Sequence, residues 1–168
     1  MSLHDQGKLR DRYTLVPRVL IFLTRDEHVL LLKGAPQKRL WANFYNGLGG
    51  HVERGEDILS AGQRELYEEA GVKGTQLWLC GVITIDTGQE SGICVFVLRG
   101  EANNVMLMSS EEGIPEWIPV SQLSILPLVE DLHILLPRVL AMQPGDTPFS
   151  AHYSALPGEE LIIQFHEQ

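Results

Sequence analysis

An α+β domain built on a mixed β-sheet is the fold class that this 168-residue sequence predicts, and three observations predict it. Segments of strand character outnumber helical ones. Their order does not alternate regularly with helices, which sets aside a simple β/α repeat. A single segment, Ile58 to Ala70, carries a complete helix signature.

In chain order, Tyr13 to Leu23 (YTLVPRVLIFL) is rich in β-branched and apolar residues, and His28 to Lys33 (HVLLLK) repeats that character after the charged turn TRDE, so two strands are expected. Gly34 to Leu40 mixes glycine, proline and basic residues and reads as a loop. Phe44 to His51 (FYNGLGGH) carries three glycines, which suits backbone that passes close to a ligand or turns sharply. The helix over Ile58–Ala70 has acidic Glu56 and Asp57 at its positive end and Gly71 where a left-handed residue commonly ends a helix. Strands are expected at Gln76–Ile85 and Gly92–Leu98, an exposed loop at Met108–Gly113 and a further strand at Glu116–Val120. Leu128 to Met142 has helical spacing interrupted by Pro137. Phe149–Tyr153 and Leu161–Phe165 flank Leu156-Pro157-Gly158 as a closing hairpin.

The length and 44% apolar content suit one domain with a substantial core, spanning residues 1–168, without an internal repeat, low-complexity tract or linker. A formal charge of −9 argues against gripping DNA or RNA, whose affinity comes from clustered Lys and Arg, so no nucleic-acid polymer is expected as a partner. No apolar run approaches the roughly 18 residues that span a bilayer, and MSLHDQGKLRDR lacks a secretory apolar core, so the expectation is a cytoplasmic protein without a membrane partner. Cys80 and Cys94, both in apolar strand-like runs, read as buried free thiols. The oligomeric state stays open.

The chemistry concentrates in GHVERGEDILSAGQRELYEEAGV, residues 50 to 72. Glu65, Glu68 and Glu69 are separated by three- and four-residue steps and share one helix patch. With Glu65 at zero, Glu68 falls about 60° to one side and Glu69 about 40° to the other, so they border the apolar arc of Ile58, Ala61, Gly62 and Leu66. A purely solvated acidic face would oppose that arc. A divalent, oxygen-seeking cation would relieve the repulsion, and Mg²⁺ takes a few carboxylates while keeping water and phosphate oxygens in its other positions.

Gly50, five residues, Glu56, seven residues, Arg64-Glu65-Leu66, one residue, Glu68-Glu69, one residue and Gly71-Val72 together resemble the Nudix box at every specified position. The five charges and two glycines alone match by chance on the order of once in 10⁸ starting positions. The resemblance implies an α/β/α sandwich and Mg²⁺, with Mn²⁺ as a possible substitute. It also implies Glu65, Glu68 and Glu69 as metal ligands beside the carbonyl of Gly49 or Gly50. Arg64 would orient a glutamate through a bidentate ion pair, with Glu56 holding Arg64. The metals would neutralise diphosphate charge and activate a water for in-line attack on phosphorus. Either Glu68 or Glu112, the latter in the acidic EGIPEW segment, takes the proton.

Outside the box the chain is similar to the MutT-like branch that hydrolyses oxidised purine nucleoside triphosphates. The similarity covers Tyr13-Thr14-Leu15-Val16, Tyr45-Asn46-Gly47-Leu48-Gly49-Gly50 and Phe149 to Phe165. It implies a substrate role for Thr14 and for Asn46, which otherwise reads as a turn residue beside glycine. Glu130 and Asp131 fall where that branch reads the purine, one of them kept protonated by burial, or else they simply begin a helix. Lys33 either meets triphosphate or sugar or is a solvated strand end, and His51 either contacts phosphate or is a surface histidine. Leu128-Val129 replaces the tryptophan that the branch sets against the base, which puts selectivity for oxidised guanine in doubt; Trp41 or Trp117 either replaces it or is an ordinary core or rim residue. The small-molecule substrate is thus expected to be a nucleoside triphosphate. The alternatives are a nucleoside diphosphate-linked compound or a nucleotide sensed without turnover.

Overall fold

The computed structural model describes residues 12–102, 105–154 and 160–166. Its elements in chain order are β1 (Thr14–Arg25), β2 (His28–Gly34), β3 (Tyr45–Asn46), α1 (Ile58–Ala70), β4 (Leu77–Asp86), β5 (Ser91–Glu101), β6 (Gly113–Pro119), a 3-10 turn (Val120–Ile125), α2 (Leu132–Ala141), β7 (Phe149–Ser154) and β8 (Ile162–Phe165). The strands form a mixed sheet in the order β3-β2-β1-β5-β4-β7-β8, with β6 on the other edge of β2.

β1 and β2 make a short hairpin that pairs Arg25 with His28 and Thr24 with Val29. Asp26 turns it at φ 50°, a left-handed conformation that Asp tolerates better than most residues. The strands then part. β1 runs parallel to β5 from Thr14↔Ser91 to Thr24↔Glu101, while β2 pairs antiparallel with β6 along its length. The gap between them is the origin of the site described below.

Strand periodicity divides the core in two. Val19, Ile21 and Leu23 of β1 and Leu30 and Leu32 of β2 pack under α1, against Ala61, Leu66 and Ala70. Their neighbours Phe22, Val29 and Leu31 face the opposite side and pack with Leu132, Leu135, Leu136 and Val139 of α2. One sheet with a helix on each face is the expected α/β/α sandwich.

α1 has the predicted bounds. Asp57 caps it, accepting from the amides of Leu59 at 2.8 Å and Ser60 at 3.0 Å, and Gly71 closes it at φ 71° with its amide directed to the Leu66 and Tyr67 carbonyls. The second helix differs from expectation. Pro137 lies inside α2 without ending it, since the carbonyl it leaves unbonded belongs to exposed His133. The helix also begins later than Leu128. Tyr45 binds the Pro127 carbonyl through its amide and accepts from Val129 through its carbonyl, and this pairing holds 128–129 extended against β3. The expected strand at Glu116 starts earlier, at Gly113, because β6 pairs with all of β2. β7 and β8 pair antiparallel as expected, and the proposed hairpin tip, 155–159, lies outside the described residues. Both cysteines are free; Cys80 is buried, whereas Cys94 is only half-buried. Among the described residues no helix is long and apolar enough to cross a membrane.

Candidate active site

The glycine-rich segment threads the gap that opens where β2 leaves β1. Asn46 and Tyr45 pair with β2, and three residues on the chain has changed partner: the Ile21 amide donates to the Leu48 carbonyl at 2.7 Å and the Val19 amide to Gly50 at 2.9 Å. Close approach explains the two adjacent glycines. A Cβ on Gly49, whose φ is 148°, would stand 2.1 Å from the Val19 carbonyl oxygen, and one on Gly50 would stand 2.3 Å from Glu65 Oε1. The segment therefore lies directly against the carboxylates of α1.

Those carboxylates are not equivalent. Glu65 and Glu69 belong to the buried face of α1, at 9% and 6% exposure, and Glu68 projects outward. Glu69 Oε2 accepts from the Gly49 amide at 2.8 Å. Burial pushes the Glu69 carboxyl up to about 8, against the pull of that amide, with the charges of Glu65 and Glu112 adding to the rise. Burial raises Glu65 as well, outweighing the opposing effect of Arg64. Two buried acids with this little positive compensation mark a place where an added cation is electrostatically favoured.

Arg64 ties the cluster together. Its Nη2 and Nε donate to the two oxygens of Glu56 at 2.8 and 3.2 Å, its Nη2 also donates to the His51 carbonyl at 2.8 Å, and its Nη1 donates to Glu65 Oε1 at 2.9 Å and Glu68 Oε2 at 3.1 Å. The bidentate fork expected on a metal-binding glutamate thus closes on Glu56, which anchors the loop, while one nitrogen is shared by Glu65 and Glu68. Geometry decides this: Glu56 lies one loop away and meets the guanidinium edge-on, whereas Glu65 and Glu68 reach it from along the same helix. The Arg64 guanidinium is held above its ordinary value, chiefly by Glu56, and Arg64 in turn lowers Glu56.

Oxygen-only donors of this kind suit a hard divalent cation. Glu65, Glu68, Glu69 and the carbonyl of Gly49 or Gly50, the latter already accepting from the Val19 amide, are the groups that would hold it, and the raised Glu69 carboxyl is the observation that fits. Among the described residues, however, no three such side chains already converge in metal-binding geometry. Glu65 and Glu68 are both bonded to Arg64 Nη1, and Glu69 to the Gly49 amide.

These groups form one end of a cleft of about 1020 Å³. Across the mouth Glu112 forms an ion pair with Lys38 at 2.5 Å. The other end, on the α2 side, is largely apolar, lined by Leu20, Ile85, Val95, Val129 and Leu161 with the polar residues Glu130, Asp131 and Tyr153, while Asn46 lines the cleft from the α1 side that it shares with Leu32. Burial, with Glu130 adding, pushes the Asp131 carboxyl up to about 6. Asn46 Oδ1 accepts from the Gly47 amide at 2.8 Å, which fixes its side chain as a turn element that still faces the cleft. His51 and Trp41 also line it, and Trp41 is half exposed at φ 58°.

Three expected contributors are not brought to the cleft. Thr14 is exposed at the first position of β1, outside the lining. Lys33 pairs with Tyr45 across the strands and lies 5.7 Å from its ring; both share the face opposite Leu32 and Asn46, which do line the cleft. Period-two alternation thus puts Lys33 on the α2 side beside Tyr45, and neither residue lines the cleft. Trp117 sits under Arg25, 4.6 Å from ring to guanidinium, on the side of α1's core. Lys38 and Tyr153 are among the cleft residues that sequence reasoning missed, with Arg18, Thr87 and Ser110. Lys38 carried a weak signal, a basic side chain in the loop before the glycines; Tyr153 carried none.

The NUDIX domain family description matches residues 14–139. The chain is 29% identical over 122 residues to the oxidized purine nucleoside triphosphate hydrolase of Mus musculus, covering 72% of this chain and 77% of that protein. To the protein of the same name from Danio rerio it is 30% identical over 105 residues, covering 62% and 66%. Among solved structures, the MutT protein from Bacillus halodurans superposes with a TM-score of 0.75 at 23% identity, over 90% of this chain and 97% of the other. The NUDIX domain of Shewanella oneidensis NrtR complexed with ADP ribose superposes at 0.64 and 14% identity, over 83% and 97%. With the family match spanning most of the chain and the box folded into a glycine-backed cluster of carboxylates, this protein belongs to the Nudix hydrolase family.

Proposed function

We propose that this protein hydrolyses a nucleoside triphosphate to the monophosphate and pyrophosphate, with an oxidised or otherwise modified purine nucleotide as its substrate. The observation that carries the reading is the polarity of this cleft. A nucleotide is anionic at its phosphates and apolar on the faces of its base, and the cleft pairs an acidic, cation-demanding end with an apolar end that holds Asp131, while Asn46 lines it from the α1 side. The names of the mouse and zebrafish relatives support the same substrate class.

Glu65, Glu68 and Glu69 hold the divalent cation, Mg²⁺ with Mn²⁺ as a substitute, in this reading. The cation supplies charge neutralisation for the bridging diphosphate oxygens and a lower pKa for water. The chain's own residues do the rest. Gly49 fixes Glu69 through its amide, and Arg64, anchored by Glu56, holds the first turn of the loop to the helix. Water attacks phosphorus, the bond to the bridging oxygen breaks toward pyrophosphate, and the proton of the water passes to a carboxylate. The exposure of Glu68, against the burial of Glu65 and Glu69, supports that role for it; Glu112, paired with Lys38, is the other candidate. Asn46, Glu130 and Asp131 orient the base.

Chromatographic product analysis with Mg²⁺, over ordinary and oxidised purine triphosphates, dinucleoside polyphosphates and nucleotide sugars, tests the reading. Pyrophosphate release from an oxidised purine triphosphate is the expected result. Cleavage confined to diphosphate-linked compounds would keep the chemistry and reject the substrate.

A further inference from the structure

Tyr153 is 2% exposed, lines the apolar end of the cleft, and is one of two described residues with a buried side-chain polar atom that has no hydrogen-bond partner. The other, the Trp117 indole nitrogen, lies away from the cleft. A buried hydroxyl without a protein partner is disfavoured in a folded protein, and in native structures a ligand or an ordered water completes such a bond. Phenylalanine would fill the same space without that cost, so packing alone does not call for the oxygen. The side chain is held by β7, whose parallel register sets Tyr153 against Ile85 of β4, itself part of the cleft wall.

Resting on the triphosphatase reading above, we propose that the Tyr153 hydroxyl is a specificity determinant that donates a hydrogen bond to a carbonyl oxygen of the substrate base, selecting oxopurines over aminopurines. Its neighbour sharpens the selection. Burial, with the nearby Asp131 charge adding, holds the Tyr153 phenol well above its ordinary value, so it remains a donor at neutral pH. The Asp131 carboxylate is an acceptor when ionised. A donor and an acceptor at the same end of the cleft match a base edge with a carbonyl beside a ring N–H, which guanine and 8-oxoguanine present and adenine does not. The site would thus discriminate by leaving its own polar groups unpaired when the wrong base enters.

Tyr153→Phe removes one oxygen and tests this directly, with steady-state hydrolysis of 8-oxo-dGTP, inhibition by pyrophosphate and thermal unfolding measured together on the full chain. The expected variant has a KM for 8-oxo-dGTP raised by about 10-fold and kcat within about twofold. Pyrophosphate, which has no base, inhibits it as it does the wild type. Its Tm in the absence of ligand equals or exceeds that of the wild type. An unchanged KM would overturn the proposal while leaving the triphosphatase reading intact. A Tm lowered by several degrees, or a variant that does not fold, would also overturn it, because the hydroxyl would then have a structural partner. If the wild type itself hydrolyses no purine triphosphate, the substrate reading falls and the role of Tyr153 falls with it, an outcome recognised without the variant.

Discussion

The Gly49 amide donates to Glu69 Oε2 at 2.8 Å, joining the glycine segment between β1 and β2 to the last turn of α1. One hydrogen bond thereby fixes a buried carboxylate relative to a backbone carbonyl that can face the same cation. Local backbone and side chain act as a unit here.

Gly50→Ala places a methyl group where Glu65 now sits, since the added carbon would stand 2.3 Å from Oε1. Glu65 must swing away, and displacement of a positioned group by about 1 Å costs about 100-fold in rate. Hydrolysis should fall by that order while circular dichroism stays unchanged. Activity within about threefold of wild type would show that the Gly50 contact does not position Glu65.

Arg64→Lys keeps the charge but loses the planar fork that bonds Glu56, Glu65, Glu68 and the His51 carbonyl at once. A single ammonium cannot span those acceptors, so a loss of about 10-fold or more in kcat is expected, with a stability cost on the order of 1–3 kcal/mol read by urea unfolding. Equal activity and stability in the lysine variant would reduce Arg64 to a point charge.

Stability should respond to divalent cation. Mg²⁺ that binds only the folded protein raises stability by about 2.7 kcal/mol at 100 times its dissociation constant, visible as a higher Tm. The same titration of Glu69→Gln should give little or no shift, because a buried acceptor in the cluster has lost its charge. A Tm insensitive to Mg²⁺ in the wild type would separate the carboxylates from metal binding.

Asp131 gives a pH signature. Its carboxyl rises from an ordinary 3.8 to about 6 on folding, so between these values the folded chain binds more proton than the unfolded one. The contribution of Asp131 to stability is therefore full below about pH 4 and is lost as pH rises through about 6. Asp131→Asn does not titrate, and the stability difference should move in its favour across that window by on the order of 1–3 kcal/mol. A difference independent of pH between 4 and 7 would place Asp131 in a solvated setting.

How much of this could be seen in the chain depends on the range of the interactions. α1 was legible to the residue because its determinants are local: the Asp57 cap, the 3.6-residue apolar spacing and the Gly71 terminus all lie within fifteen positions. The partition of Glu65, Glu68 and Glu69 about the apolar arc followed from the same period. Lys33 illustrates the limit, since its strand was evident but the face it takes depends on pairing with Tyr45, twelve residues on. Asp131 precedes α2 because the pairing of Pro127 and Val129 with Tyr45 delays the helix to Leu132. Tyr153 was invisible for a stronger reason: its place in the cleft depends on the β4–β7 register, set by residues about seventy positions apart.

The central claim, an acidic cluster that serves phosphoric anhydride hydrolysis, is tested most directly by product analysis of wild type and Glu69→Gln with 8-oxo-dGTP and Mg²⁺. Pyrophosphate and the monophosphate from the wild type, reduced by at least about 100-fold in the variant with its fold intact, is the predicted result. Near-normal turnover by Glu69→Gln would contradict the role given to the buried carboxylate.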